Sequence, residues 1–342
     1  MKIISTMGPS IMKNGAIKQA IKRGCSGFRF NSAHSDKLVA SEQIKYIRSN
    51  YGDEVNIIYD LQGQKIRVSG IIDSEIHLND NERVIFCSEE YYKVNKNIEK
   101  GLIPIDIEFD FNIIVEQDYF SVKNDRVVFI KEWVKDDCVC CKVKGKGILR
   151  AKNGINIKSL SRANLILTER DKQDIVYAIN NDVDTIYISY VVNAANVKSV
   201  KNYINKYLKK NGMNLRRPKI YSKIENYEGI ENFEEILKVS DGIVLGRGDL
   251  AVEINSIEYP VLQEKIINRM KRSKKPLVIA THILESLAYR SKPSISETSD
   301  LYHFIKNKVD GIVLVTETSV GRNPGYVVGF ANKFITEYCS EN

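Results

Sequence analysis

Two neighbouring stretches decide the reading of this chain: Pro218-Lys219-Ile220-Tyr221-Ser222-Lys223-Ile224-Glu225-Asn226 and Gly242-Ile243-Val244-Leu245-Gly246-Arg247-Gly248-Asp249-Leu250. Each is a short apolar run that stops abruptly in charge. That is the pattern of buried parallel strands handing polar side chains to one edge of a sheet. Together the two ends supply Lys223, Arg247, Glu225 and Asp249. Two hard carboxylates suit Mg²⁺ or Mn²⁺, and a lysine beside them suits an anion held on that metal. Ordinary strands that meet solvent in a few charges would look the same in isolation, so the rest of the chain has to decide.

It repeats the arrangement. Residues 2–7 form a β-branched run closed by Gly8-Pro9-Ser10, and 11–23 have helical spacing ended by Gly24. A strand over 27–31, a helix over 37–50 and a strand over 55–61 follow. Helical spacing resumes at Thr168-Glu169-Arg170-Asp171, with Thr168 as the cap. Strands are then predicted at 185–190, 219–224, 242–247, 277–281 and 311–316. Three strands before residue 65 and five after the interruption make eight. Eight alternating strands and helices predict an α/β fold, a (β/α)₈ TIM barrel whose site lies at the carboxyl ends of the strands. An open doubly wound sheet is the competing architecture.

Between 65 and 158 the rhythm becomes short alternating segments, at 83–87, 126–130 and 138–143, with turns at Lys123-Asn124-Asp125 and Lys144-Gly145-Lys146-Gly147. The chain therefore divides into residues 1–64 as the first part of the barrel, 65–158 as an inserted all-β lid after strand 3, and 159–342 as the second part of the barrel. Trp133 is assigned to the core of that insert. A barrel gathers the strand ends at one rim: Thr6, Arg29 with Asn31, Asp60, Ser189, Lys223 with Glu225, Arg247 with Asp249, Thr281, and Thr316 with Glu317. Acids for a metal, cations for a polyanion and a hydroxyl for a proton relay suit phosphoryl transfer or enolate stabilisation.

Composition narrows the class. The 342 residues are 43% hydrophobic and 27% charged, and no apolar run is long enough to span a bilayer. Met1 leads directly into a strand, so a cytoplasmic protein without a membrane partner is expected. The six cysteines show no metal-ligand spacing, and Cys138, Cys140 and Cys141 read as small packed hydrophobes. The net charge of +8 comes from lysines scattered over helices, such as Lys271-Arg272-Ser273-Lys274-Lys275 near a helix end. This reads as a solvated face and not as a nucleic-acid surface.

The motifs then carry a resemblance. Lys2-Ile3-Ile4-Ser5-Thr6-Met7-Gly8-Pro9-Ser10, Ser222-Lys223-Ile224-Glu225-Asn226 with Gly229, Ser240-Asp241-Gly242-Ile243 through Asp249-Leu250, and Ala280-Thr281-His282-Ile283-Leu284-Glu285-Ser286 resemble the pyruvate kinase family in order and spacing. The resemblance implies transfer of the phosphoryl group of phosphoenolpyruvate to ADP, a nucleoside diphosphate, followed by protonation of the enolate, in a glycolytic, ATP-binding kinase. Residue by residue it implies Glu225 and Asp249 as ligands of Mg²⁺ or Mn²⁺, and Lys223 as the stabiliser of the separating charges. Arg29 would grip the phosphoryl group with Arg67 as a second cation, and Thr281 is linked to protonation. Backbone amides at Gly248 and Asp249 would hold the carboxylate. On the nucleotide side it implies Thr6, Pro9, His34, Arg67 and Lys152.

The departures are as specific. Asn31 and Asp60 of the family's K⁺ site remain, but Ala33 and Leu61 stand where hydroxyls are usual. Lys65 replaces a glutamate, the change associated with K⁺-independent members, so K⁺ is expected not to be required. Asn153 takes the place of a lid lysine, Val315 and Val320 those of a serine and a phosphate-facing lysine, and His282 that of a glutamine. Weaker ADP binding follows, and with it the alternatives of an enolate-stabilising enzyme with a different phosphoryl acceptor or keto acid substrate, or a catalytically weak phosphoenolpyruvate-binding protein. The end at Asn342 leads to the expectation of no regulatory domain, no sugar-phosphate activation there, and a monomer or homodimer formed through barrel faces.

Overall fold

The computed structural model describes residues 1–13, 15–107, 111–122, 127–135, 138–157, 167–211 and 215–339. The predicted Lys123-Asn124-Asp125 turn, Arg126 and the predicted boundary at 158/159 lie outside the described residues. Two compact units emerge, one of residues 1–63, 169–250 and 256–342, the other of 64–168 with 251–255.

The first unit is a closed barrel. Its strands are β1 (Lys2–Thr6), β2 (Cys25–Asn31), β3 (Asn56–Asp60), β4 (Thr185–Ile188), β5 (Lys219–Ile224), β6 (Gly242–Gly246), β7 (Leu277–Ala280) and β8 (Gly311–Leu314). Each pairs in parallel with the next, and β8 returns to β1 with Lys2 opposite Gly311. The near-continuous apolar runs are explained by burial on both faces: all five residues of β6 and all four of β7 are buried. Inside the barrel Ile4, Ile58, Tyr187, Val244, Val278, Ala280 and Val313 form one cluster, so the interior is a packed core.

Helices fill the connections and several are capped by their own sequence. The Asp36 carboxylate accepts from Leu38 N and Val39 N ahead of the helix Lys37–Tyr51. The first helix is shorter than its spacing predicts, spanning Ala16–Lys22, because Gly15 adopts φ 77° at its N-cap, a left-handed turn that ends any run from Ile11. Asn14 within that run lies outside the described residues. Several strands also stop short of their predicted ends: Tyr190 (φ 54°) and Thr281 (φ 69°) lie in left-handed backbone just past β4 and β7.

The second unit holds a seven-stranded sheet ordered Ile155–Asn156, Tyr119–Val122, Val127–Lys135, Cys138–Lys144, Arg83–Cys87, Leu102–Asp106, Arg67–Val68, and a two-stranded ribbon of Ile76–Leu78 with Gly147–Leu149. It also carries two short helices, Glu89–Asn95 and Asn112–Val115, so it is β-rich without being purely β. Phe86 packs edge-on against Phe120 and Phe129, with centroids 4.7 and 4.8 Å apart. Trp133 is not in that core. It is 45% exposed, because the end of its strand from Glu132 to Lys135 faces solvent.

Candidate functional site

The carboxyl ends of β1 to β5 converge on one buried ionic network. The Arg29 guanidinium at the end of β2 grips Asp60 at the end of β3, with Nε to Oδ2 at 2.7 Å and Nη2 to Oδ2 at 2.6 Å, while its Nη1 donates to Thr6 Oγ1 at 3.1 Å. On the other side of Asp60, Lys223 Nζ lies 3.2 Å from Oδ1 and also 3.0 Å from Glu225 Oε1. Lys223 donates to Ser189 Oγ at 2.8 Å, and that hydroxyl lies 3.1 Å from Asp60 Oδ1 and 2.7 Å from the Leu61 carbonyl. Six residues from five strand ends thus form one chain of charge-assisted bonds.

Burial makes these charges interdependent. Desolvation pushes the Asp60 carboxyl up, but Lys223 and Arg29 outweigh it and hold the group below the usual carboxylate value. Desolvation likewise works against the Lys223 ammonium, yet Asp60 and Glu225 raise it above its ordinary value. Glu225 differs. Burial pushes it up, Lys223 only partly compensates, and the charges of Asp249 and Asp60 push further in the same direction. Lys223 is shared between two acids, and Asp60 is the better satisfied of them.

Backbone geometry fixes Glu225. Tyr190 N donates to Glu225 Oε2 at 3.1 Å, from the left-handed conformation noted above. Opposite, Gly246 leaves the space the carboxylate needs: a Cβ there would fall 2.6 Å from Glu225 Cγ and Oε1. Neither role is evident from the sequence alone, although a glycine closing a buried strand is the signal of a close approach.

Beyond β6, the helix Arg247–Glu253 brings Asp249 into electrostatic reach of Glu225. Gly248 N donates to Thr281 Oγ1 at 2.7 Å, and that hydroxyl donates to the Ala280 carbonyl at 2.5 Å. Arg247 has another role than the one its strand-end position suggests. Its guanidinium donates to the carbonyls of Thr281 (3.0 Å) and His282, pairs with Asp300 at 2.5 Å and lies over the Phe304 ring. It clamps the Thr281 turn and is not a cation presented to ligand. His282 is exposed and bonds Glu285 through Nδ1 at 2.6 Å.

Next to Arg29 lies a cavity of about 500 Å³, whose lining includes Thr6, Pro9, His34, Asp36, Val315 and Val320. Three of the five residues expected on the nucleotide side, Thr6, Pro9 and His34, therefore share one cavity. Arg67 and Lys152 belong to the second unit, where Arg67 Nη1 donates to the Lys152 carbonyl at 3.0 Å. Lys65 also belongs to that unit and packs against Gly154. Asn31 Oδ1 accepts from Ala33 N at 3.2 Å, and Ala33 and Leu61 are buried. Glu317, expected at the open rim, is instead buried at 1% exposure.

Among the described residues no group of three or more His, Cys, Asp or Glu side chains stands ready to hold a metal. The pair Glu225 and Asp249 nevertheless fits a divalent ion. A buried carboxylate and a half-buried one that repel each other are relieved by a cation, and Mg²⁺ characteristically takes one or two carboxylates and completes its shell with water and substrate oxygens.

Known proteins match the chain over most of its length. A family profile described as "Pyruvate kinase, barrel domain" matches residues 1–328. The chain is similar to the pyruvate kinases of Mycobacterium tuberculosis (28% identical over 330 residues), Thermococcus litoralis (29% over 326) and Bacillus licheniformis (30% over 329). Each match covers 94% of this chain but only 66%, 66% and 54% of the respective relative, so the chain spans less than two thirds of their length.

Proposed function

We propose that the chain, which belongs to the pyruvate kinase family, moves the phosphoryl group of phosphoenolpyruvate to ADP and protonates the enolate to pyruvate. The observation that carries this reading is Lys223, raised in pKa between Asp60 and Glu225 at the carboxyl ends of the barrel strands. A fixed, buried ammonium is the group that stabilises charge as it separates between a phosphoryl group and an enolate oxygen. Arg29, held by Asp60, binds the phosphoryl oxygens. Asp249 and Gly248 are assigned as amide donors to the substrate carboxylate, the Gly248 amide exchanging its bond to Thr281 Oγ1 for the substrate, and Thr281 is assigned to protonation of the enolate. Mg²⁺ or Mn²⁺ held by Glu225 and Asp249 would supply Lewis-acid stabilisation of the substrate's oxygens. Arg67 and Lys152 of the inserted lid, residues 65–158, are assigned to the nucleotide on the family resemblance.

Gly246→Ala tests the metal assignment. The added methyl displaces the Glu225 carboxylate, and Mn²⁺ affinity measured by titration is expected to fall roughly 10- to 100-fold, the usual cost of disturbing a ligand's support. Unchanged affinity in a folded variant would remove Glu225 from the ligand set.

The monovalent-cation reading has its own test. With Ala33 and Leu61 in place of hydroxyls, Lys65 is assigned the role of a fixed cation, so pyruvate formation from phosphoenolpyruvate, ADP and Mg²⁺ should proceed equally with and without K⁺. Lys65→Glu should create K⁺ dependence. A rise of more than roughly tenfold on adding K⁺ to the unmodified protein would sink the assignment.

A second reading is favoured by the cavity beside Arg29. Val315 and Val320 give it apolar wall where phosphate contacts are expected, and Asp36 adds negative charge. Each lost charge-assisted contact is worth roughly 1.5–3 kcal/mol, so a less highly charged acceptor than ADP is the alternative, and a comparison of acceptors separates the two. No helix among the described residues is long and apolar enough to cross a membrane. We assign the protein to the cytoplasm. Exposed Ile257, Val261 and Ile295 are the apolar surface that a homodimer through barrel faces would cover, with a monomer as the other state.

A further inference from the structure

Cys87 and Cys138 stand directly opposite one another on adjacent antiparallel strands of the second unit. The backbone bonds determine what kind of pair they form. Val143 N donates to the Glu82 carbonyl (2.9 Å) and Asn81 N to the Val143 carbonyl (2.8 Å), a hydrogen-bonded position closed by a bulge at Asn81, whose φ is 66°. Because the two kinds of pair alternate along an antiparallel ladder, 142/83, 140/85 and 138/87 are non-hydrogen-bonded pairs. Ile85 gives an independent check. Its N–H points to the other neighbouring strand, donating to the Gly101 carbonyl at 2.9 Å, and Cys87, two residues on, shares that orientation.

Non-hydrogen-bonded partners bring their Cα atoms to about 4.5 Å with both side chains on one face. That lies within the roughly 4.4–6.8 Å that a disulfide spans. Neither cysteine is in a disulfide, and both are buried and packed in one small cluster with Leu102. The other cysteines of the strand face apolar partners: Cys140 is opposite Ile85 and Cys141 opposite Val84. Burial pushes the Cys87 thiol up to about 12, with Cys138 adding to the shift, which keeps it protonated and slow to react while the strands stay closed.

We propose that Cys87 and Cys138 are a redox modification site, closing a cross-strand disulfide when the protein meets a two-electron thiol oxidant. With an azo oxidant such as diamide, the two thiols lose two protons and two electrons, the S–S bond forms, and the N=N group is reduced to the hydrazine. The bond ties together the strands Arg83–Cys87 and Cys138–Lys144, and small thiols reverse it by exchange.

The experiment uses the full chain carrying Cys339→Ser, which removes the exposed thiol. Diamide treatment, in buffer and in urea below the unfolding transition, is followed by peptide mapping under non-reducing conditions. The expected product joins the peptides containing Cys87 and Cys138 with loss of two hydrogens. It is retained in Cys140→Ala and absent from Cys87→Ala. Trp133, the sole tryptophan, lies on the strand paired with Cys138–Lys144 and reports on this unit. Its unfolding midpoint in urea should rise on oxidation, fall back with dithiothreitol, and not respond in Cys87→Ala. Thiols that remain free in both conditions, or a crosslink through Cys140 or Cys141 instead, would overturn the proposal.

Discussion

Replacing Lys223 with methionine is expected to lower turnover of phosphoenolpyruvate by roughly a thousandfold or more, with a much smaller change in KM. The expectation rests on where the charge acts. On the proposed reading Arg29 meets the phosphoryl group in the ground state, whereas the ammonium held between Asp60 and Glu225 would matter most as negative charge grows on the departing enolate. Removing one preorganised donor of this kind costs about 10²–10³ in kcat, and a full buried charge costs more. The variant also leaves Glu225 without a cation while Asp60 keeps Arg29. Some destabilisation therefore accompanies the change, and loss of one partner of a buried pair costs roughly 3–5 kcal/mol. Circular dichroism and phosphoenolpyruvate binding separate that effect from chemistry. A folded variant that binds phosphoenolpyruvate but retains turnover within tenfold of the parent would refute the role given to Lys223.

The barrel is legible in the sequence because its strands are buried on both faces and end in charge. Gly242-Ile243-Val244-Leu245-Gly246 followed by Arg247 has no other economical reading, and the network of Arg29, Asp60, Ser189, Lys223 and Glu225 follows once eight such ends share a rim. What a strand-end pattern cannot convey is the direction in which a side chain turns. Arg247 and Lys223 look alike in sequence, but Asp300 and Phe304, from the helix Ile295–Lys306, draw Arg247 away from the centre. Glu225 depends on Tyr190 and Gly246, a backbone amide and an absent side chain, which leave almost no trace in a motif. An aromatic residue in an alternating strand, such as Trp133, looks like core in the sequence, but alternation gives the face of a sheet and not which part of it is covered.

Glu317→Gln is expected to stabilise the protein at alkaline pH by an amount on the order of 3 kcal/mol. Only 1% of this residue is exposed, and its Oε1 finds no hydrogen-bond partner among the described residues. Burial pushes its carboxyl up to about 7, against which the amides of Glu317 and Val315 pull down, while Glu285 and Glu297 add like charge. An unfolded glutamate titrates near its ordinary value of 4.5. Between that pH and about 7 the folded chain therefore holds a proton that the unfolded chain has released. Folding stability contributed by the neutral carboxyl is fully present below pH 4.5, is lost as pH rises through about 7, and stays lost above it. Glutamine keeps the shape and cannot ionise, so its advantage over the parent should be close to zero near pH 4.5, grow through the interval and level off by about pH 8. At roughly 1.4 kcal/mol per unit of pKa shift the plateau has the size given above. Urea unfolding followed by far-UV circular dichroism at a series of pH values measures it. An advantage that is independent of pH would mean that glutamine merely packs better. A disadvantage at every pH would mean that the carboxylate is charged in the folded protein and held by a cation at this end of the barrel.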